Sequence, residues 1–179
     1  PGFGGSVFRE ISVVRIGSRY DEIVVKGTPL EMGRQLGESA REAIRGFSSI
    51  VIDRVNKTVS MSRNRALAIA FECIRYTADY APELLAELKG MSDSSGVPLD
   101  ELMLLQIRNQ LRDQQDPSPS DREKIQGVSD GGCTAFASSR PSLVAQNWDN
   151  DPALDPYTVV LTRRPLDGPA TLTVGQAGL

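Results

Sequence analysis

The feature that most narrows the possible folds is a change of hydrophobic period along the chain. Up to about residue 111, apolar side chains recur at three- and four-residue steps, the spacing of a helix face; after residue 132 they alternate, the spacing of a strand. Thr28-Pro29-Leu30-Glu31 marks where the helical part begins: Thr28 is a capping residue, Pro29 suits the first helical position, and Glu31 closes a capping box. From there Leu36, Ala40, Ala43, Ile44, Phe47, Ile50, Val51 and Val55 form one stripe, predicting a single helix of about seven turns. Gly33 and Gly37 lie one turn apart on it, where they serve simple packing or let another backbone approach closely.

Further helices are expected at about 62–80, ending at Pro82; at 82–91, with Gly90 as its stop and "SDSSGVP" as a loop; and at 99–111. Ahead of them, residues 8–27 hold two β-branched runs around "GSRYD", a predicted hairpin. Residues 112–130 are polar, contain prolines, and read as an exposed linker. Strands are expected at 133–138, 143–149, 157–163 and 170–175. The fold class is therefore α+β, a helix-rich front and antiparallel strands after Cys133, sharing one core in a single domain over 1–179.

Composition excludes several functions. A net charge of -3, with Arg63/Arg65 and Arg163/Arg164 isolated among acids, makes nucleic acid an improbable partner. No apolar run approaches the roughly 20 residues of a membrane span, and no signal peptide is visible, so a cytoplasmic location is expected. With no histidine, and no paired cysteine motif, neither a metal nor another cofactor is called for. "DNDPALD" superficially suggests a calcium loop, but Pro152 interrupts it and the required glycine is missing. Cys73 lies on an apolar helical stripe and reads as inert packing, and Trp148 reads as core.

The absence of histidine also bears on Cys133, which follows Gly131 and Gly132 at the expected first position of a strand. A buried small hydrophobe is the plain reading of such a cysteine. The reactive reading needs a base other than imidazole, and a cysteine can supply its own: the α-amino group released if the Gly132–Cys133 bond is cut, with an ordinary pKa of about 8. If strands 133–138 and 143–149 pair about residue 141, Cys133 stands opposite Asp149 and Ala135 opposite Asn147, leaving Phe136, Val144 and Trp148 on the other face for a helix to cover. A slip of one residue moves Asp149 away. Asp149, Asn150 and Asp151 also read as a polar turn ahead of Pro152.

"GGCTAFA" followed by "AQNWDND", with "GTPLEMGRQLGE" and "YAPELLAELKGMSDSSGVPLDEL" upstream, resembles the acyl-CoA:6-aminopenicillanic acid acyltransferase (isopenicillin N acyltransferase) family of autoproteolytic N-terminal nucleophile hydrolases. The resemblance runs from about residue 23 to the end and rests on separated motifs in family order. It implies an αββα sandwich, autocleavage between Gly132 and Cys133, an α-fragment 1–132 comprising hairpin and helices, and the start of a β-fragment, 133–179, carrying the nucleophile. It also implies that Cys133 attacks a small acyl amide or acyl-CoA-like substrate, with hydrolysis or transfer of the acyl group. Asp149 would orient the freed ammonium, and Asn147 would be an orienting or oxyanion group. Family members continue through further strands and helices that carry additional active-site groups, including a basic residue. The chain is thus expected to be an uncleaved precursor or a truncated piece, completed by its own fragments, by a homo-oligomer, or by a complementing chain; a non-catalytic structural piece is the alternative.

Overall fold

In a computed structural model, residues 19–58, 61–111 and 133–179 are described, with side chains described to Arg54 in the first of these. The fold is α+β. Strand β1 (Asp21–Gly27) is followed by five helices, α1 (Pro29–Ser39), α2 (Arg41–Thr58), α3 (Arg63–Tyr80), α4 (Pro82–Ser95) and α5 (Leu99–Ile107). Strands β2 (Ala135–Ser139) and β3 (Ser142–Gln146), a 3₁₀ turn (Pro152–Tyr157), and strands β4 (Thr158–Pro165) and β5 (Thr171–Gln176) complete the order. The expected first strand of the 8–27 hairpin and the expected linker 112–130 lie outside the described residues.

The expected capping box is present. Thr28 Oγ1 accepts from the Glu31 N–H, and Glu31 Oε2 accepts from the Thr28 N–H at 2.8 Å. The Thr28 N–H first, and the Thr28 hydroxyl, which also donates to Glu31 Oε2 at 2.8 Å, hold the Glu31 carboxyl below its ordinary range. The single long helix expected beyond it is two: at Ala40 the backbone leaves helical geometry (φ -110°, ψ 22°), separating α1 from α2. The break lets the two halves of one stripe face different neighbours, α1 packing mainly on α4 while α2 reaches α5 and the 3₁₀ turn.

The α4 stop also differs from expectation. Gly90 is inside the helix, which runs on through Ser95 and ends at Gly96, whose φ of 76° is left-handed. Gly90 is there for proximity: a β-carbon on it would lie 2.2 Å from the Leu30 carbonyl oxygen of α1. Reciprocally, a β-carbon at Gly33 would lie 1.9 Å from the Glu87 carbonyl oxygen, and one at Gly37 would lie 2.6 Å from that of Met91. Helices α1 and α4 therefore meet backbone to backbone. An Arg34–Asp93 ion pair at 2.9 Å spans the same contact, but both side chains are about half exposed. Such pairs contribute roughly 0–1 kcal/mol. Buried Met32, Leu36, Leu85, Leu88 and Met91 contribute about 1.5–3 kcal/mol each, so packing decides.

Strand β1 pairs in parallel with β4, and β4 pairs antiparallel with β5, giving the sheet order β1-β4-β5; β2 and β3 form a separate antiparallel pair. Ile23, Val25, Val159 and Leu161 are buried against the helices. Arg163 on that face joins sheet to helices through Glu87 of α4 at 2.7 Å. On the opposite face, Val24, Leu172 and Val174 are exposed. Among the described residues no helix is long and apolar enough to cross a membrane.

The chain ahead of β1 is tied to the 3₁₀ turn, since Arg19 and the Tyr20 hydroxyl each donate to Asp155 at 2.9 Å. Those bonds, Arg19 first, hold the Asp155 carboxyl below its ordinary range. A carboxyl depressed on folding contributes stability above its unfolded value, about 3.9, and loses it as pH falls through the folded value. Asp155→Asn should therefore lower the urea midpoint at pH 7 and matter less at pH 3; an equal loss at both would contradict this. Gly33→Ala should cost about 1–3 kcal/mol in urea unfolding despite alanine's better helix propensity. Unchanged or raised stability would mean that α1 and α4 can move apart freely.

Candidate functional site

The β2–β3 hairpin carries two of the sequence-derived site residues at its open end. Its turn has Arg140 and Pro141 as central residues, joined by a cis peptide bond, between the paired Ser139 and Ser142. Because two residues form the turn, Ala135 pairs with Gln146, Phe136 with Ala145, and Ala137 with Val144. This is one residue out from the register expected from a pivot at residue 141, and it overturns the predicted pairing of Ala135 with Asn147. The predicted placement of Asp149 opposite Cys133 goes with it; continuing the observed register brings Trp148 opposite Cys133 instead.

The strand also begins later than expected, at Ala135, leaving Cys133 and Thr134 just ahead of it. Cys133 is exposed. Gly132 lies outside the described residues, so the proposed scissile bond itself is not placed. The expected greasy face is not formed as one surface, because Phe136 and Val144 now point to opposite sides of the hairpin. Neither is covered by a helix: Phe136 is 57% exposed and Val144 78%.

Asn147 acquires a defined task. The main-chain N–H of Asn147 donates to the Thr134 carbonyl at 3.0 Å. In a continued antiparallel ladder the Thr134 N–H would return the bond to the Asn147 carbonyl. It donates at 2.6 Å to the side-chain Oδ1 instead. An N–H must meet an acceptor, so this bond fixes which end of the amide is oxygen, and the Nδ2 group is left as a donor. Asn147 thus ends the ladder and pins the peptide unit directly after Cys133. Asp149 is exposed, and it shares no hydrogen bond with Cys133 among the described residues.

The next acid is committed elsewhere. Asp151 caps the 3₁₀ turn by accepting from the Ala153 N–H at 2.9 Å, and it pairs with Arg54 of α2. The Ala153 bond first, and Arg54 second, hold its carboxyl below the usual range. The polar-turn reading of this stretch thus holds at Asp151. Tyr157 closes the anchorage by lying over Gly46, where a β-carbon would come within 2.4 Å of its ring. Among the described residues no group of three or more potential ligands could hold a metal ion.

Trp148 departs from its expected core position: it is 39% exposed and, with Val144 and Gln146, lines an open groove that sequence reasoning missed. Cys133 is not part of that lining. Cys73 does line it, half-buried on α3. Compared with known proteins, the chain matches no family model and no curated sequence.

The exposure difference sets an order of reaction. Brief treatment with iodoacetamide at neutral pH should alkylate Cys133 well before Cys73, by peptide mass mapping. Equal labelling, or Cys73 first, would show that the thiol of Cys133 is not accessible as described.

Proposed function

We propose that this chain is an autoprocessing cysteine enzyme of the N-terminal nucleophile type, which cuts the bond before Cys133 and then hydrolyses or transfers an acyl group from an amide or thioester. The observation that carries the reading is the exposed Cys133 thiol beside a peptide unit pinned by the Asn147 side chain. The motif order shared with the acyltransferase family supports it, as does a histidine-free chain in which a cysteine must find another base.

In the cleavage step, Cys133 Sγ adds to the Gly132 carbonyl carbon and its proton passes to the departing amide nitrogen. The C–N bond breaks as the C–S bond persists, leaving a thioester and a free α-amine on Cys133. Water then adds to the thioester, releasing the Gly132 carboxylate and restoring the thiol. The new amine, with an ordinary pKa of about 8, takes the thiol proton in each later turnover and returns it to the leaving group. Asn147 Nδ2 is assigned as a donor toward the developing oxyanion. Asp149, which the observed register does not set opposite Cys133, is assigned as the carboxylate that orients the ammonium on the family resemblance alone.

The αββα sandwich belongs to the same reading. It is favoured by a sheet that has helices on one face and exposed Val24, Leu172 and Val174 on the other, where a second sheet would stack. An intracellular setting, which keeps thiols reduced, fits as well. The same bare face also favours a second reading, a non-catalytic piece completed by another chain.

The intact mass of freshly made protein beside Cys133→Ala separates the two. Fragments 1–132 and 133–179 from the unaltered chain, with the variant whole, are expected for autoprocessing. Asn147→Ala should slow the cleavage by about 10–1000-fold if its amide stabilises the oxyanion. An unaltered chain that stays whole through prolonged incubation under native conditions would leave the second reading in possession.

A further inference from the structure

The connection between β4 and β5 carries, among the described residues, the one aspartate that a glycine follows, Asp167 before Gly168. That order matters because the main-chain nitrogen of a following residue can attack an aspartyl carboxyl and close a five-membered ring. A β-carbon on the following residue crowds the attack, and glycine has none. Both residues are exposed here. Gly168 takes a φ of 110°, and a β-carbon built on it would meet only the Pro165 ring, at 4.0 Å. The connection is anchored on either side: the Leu166 N–H donates to the Gly27 carbonyl at 3.2 Å, and Thr171 pairs with Arg163.

The other described aspartates are placed against the same reaction. Asp151 and Asp155 precede Pro152 and Pro156, whose nitrogens carry no hydrogen to lose. Asp53, Asp79 and Asp93 lie in α2, α3 and α4, where the following amide donates to the carbonyl four residues back. Asp21, Asp100 and Asp149 precede Glu22, Glu101 and Asn150, each with a side chain in the way. The remaining Asp–Gly pair of the sequence, Asp130–Gly131, lies outside the described residues.

We propose that Asp167 is a site of self-modification, isomerising to isoaspartate through attack by the Gly168 main-chain nitrogen. That nitrogen adds to the Asp167 Cγ, its proton and the carboxyl hydroxyl leave as water, and a succinimide closes. Water then adds to one of the two ring carbonyls. Opening at Cγ restores aspartate. Opening at the Asp167 main-chain carbonyl leaves the chain running through Cγ, with an α-carboxylate as the new side group. One water leaves and one enters, so no oxidant, metal or cofactor takes part. The product has one more main-chain carbon between the two anchors at Leu166 and Thr171. The proposal does not depend on the chemistry of Cys133.

The test incubates folded Cys133→Ala protein for several weeks near neutral pH in heavy-oxygen water. The peptide carrying Asp167 is then separated against synthetic aspartyl and isoaspartyl standards. An isoaspartyl peak that grows with time and carries one heavy oxygen is expected, ahead of any at Asp79, Asp93 or Asp149. Asp167→Asn should pass through the same ring with loss of ammonia, and the change in mass reports each event. Asp167→Glu, whose ring would need six members, should stay unchanged. Neither substitution should lower Tm, because the side chain is exposed. An isoaspartyl fraction at Asp167 no larger than at Asp149 would overturn the proposal. So would an Asp167→Asn chain that keeps its amide while a short synthetic Leu-Asn-Gly-Pro peptide loses it, because the fold would then hold the Gly168 nitrogen away from Cγ.

Discussion

The backbone contact between α1 and α4 sets the spacing for everything built on it. Two helices usually sit 8–10 Å apart because side chains separate them. With Gly33 and Gly37 facing Glu87 and Met91, and Gly90 facing Leu30, the side chains are removed from the contact itself. Leu36, Leu85, Leu88 and Met91 then pack around the contact instead of within it. Glu87 is held at the height where its carboxylate meets Arg163 of β4, so the helix spacing and the position of the sheet are one constraint.

The hairpin obeys a different logic, because almost none of it is packed. Its register follows from the turn, which contains two residues, Arg140 and Pro141, where the expected pairing pivoted on residue 141 alone. Half a period is all that separates the expected pairing from the register observed. A buried hairpin would have had its register enforced by the core, but Phe136 and Val144 are exposed in either pairing and exert no such control.

That contrast explains what the sequence made legible. The capping box at Thr28, the α3 boundaries around Ser62 and Pro82, and the strands of the sheet were all visible from local signals, with which burial agrees at β1 and β4. The end of α4 was misplaced because Gly90 and Gly96 look alike in sequence. Only packing distinguishes a glycine that admits a neighbour from one that turns the chain. The break at Ala40 carries no proline or glycine signal, and α1 and α2 part there to serve different neighbours. At the site, Cys133 and Asn147 could be named from the motif, but the bond from the Thr134 N–H to Asn147 Oδ1 could not, since it depends on the ladder ending where it does. The groove left no trace because Leu88, Met91, Met103 and Ile107, which also line it, look like ordinary core in the sequence.

The clamp of Asp151 on Arg54 and on the Ala153 N–H has a kinematic consequence for the thiol. Past Asn147, where the ladder ends, the chain reaches this fixed point in four residue steps, which span at most about 14 Å when fully extended. The hairpin is thus a short arm on a leash whose root does not move with it. Whatever approaches Cys133 meets a thiol whose range of travel is set by the length of that leash, independently of how the hairpin tip bends.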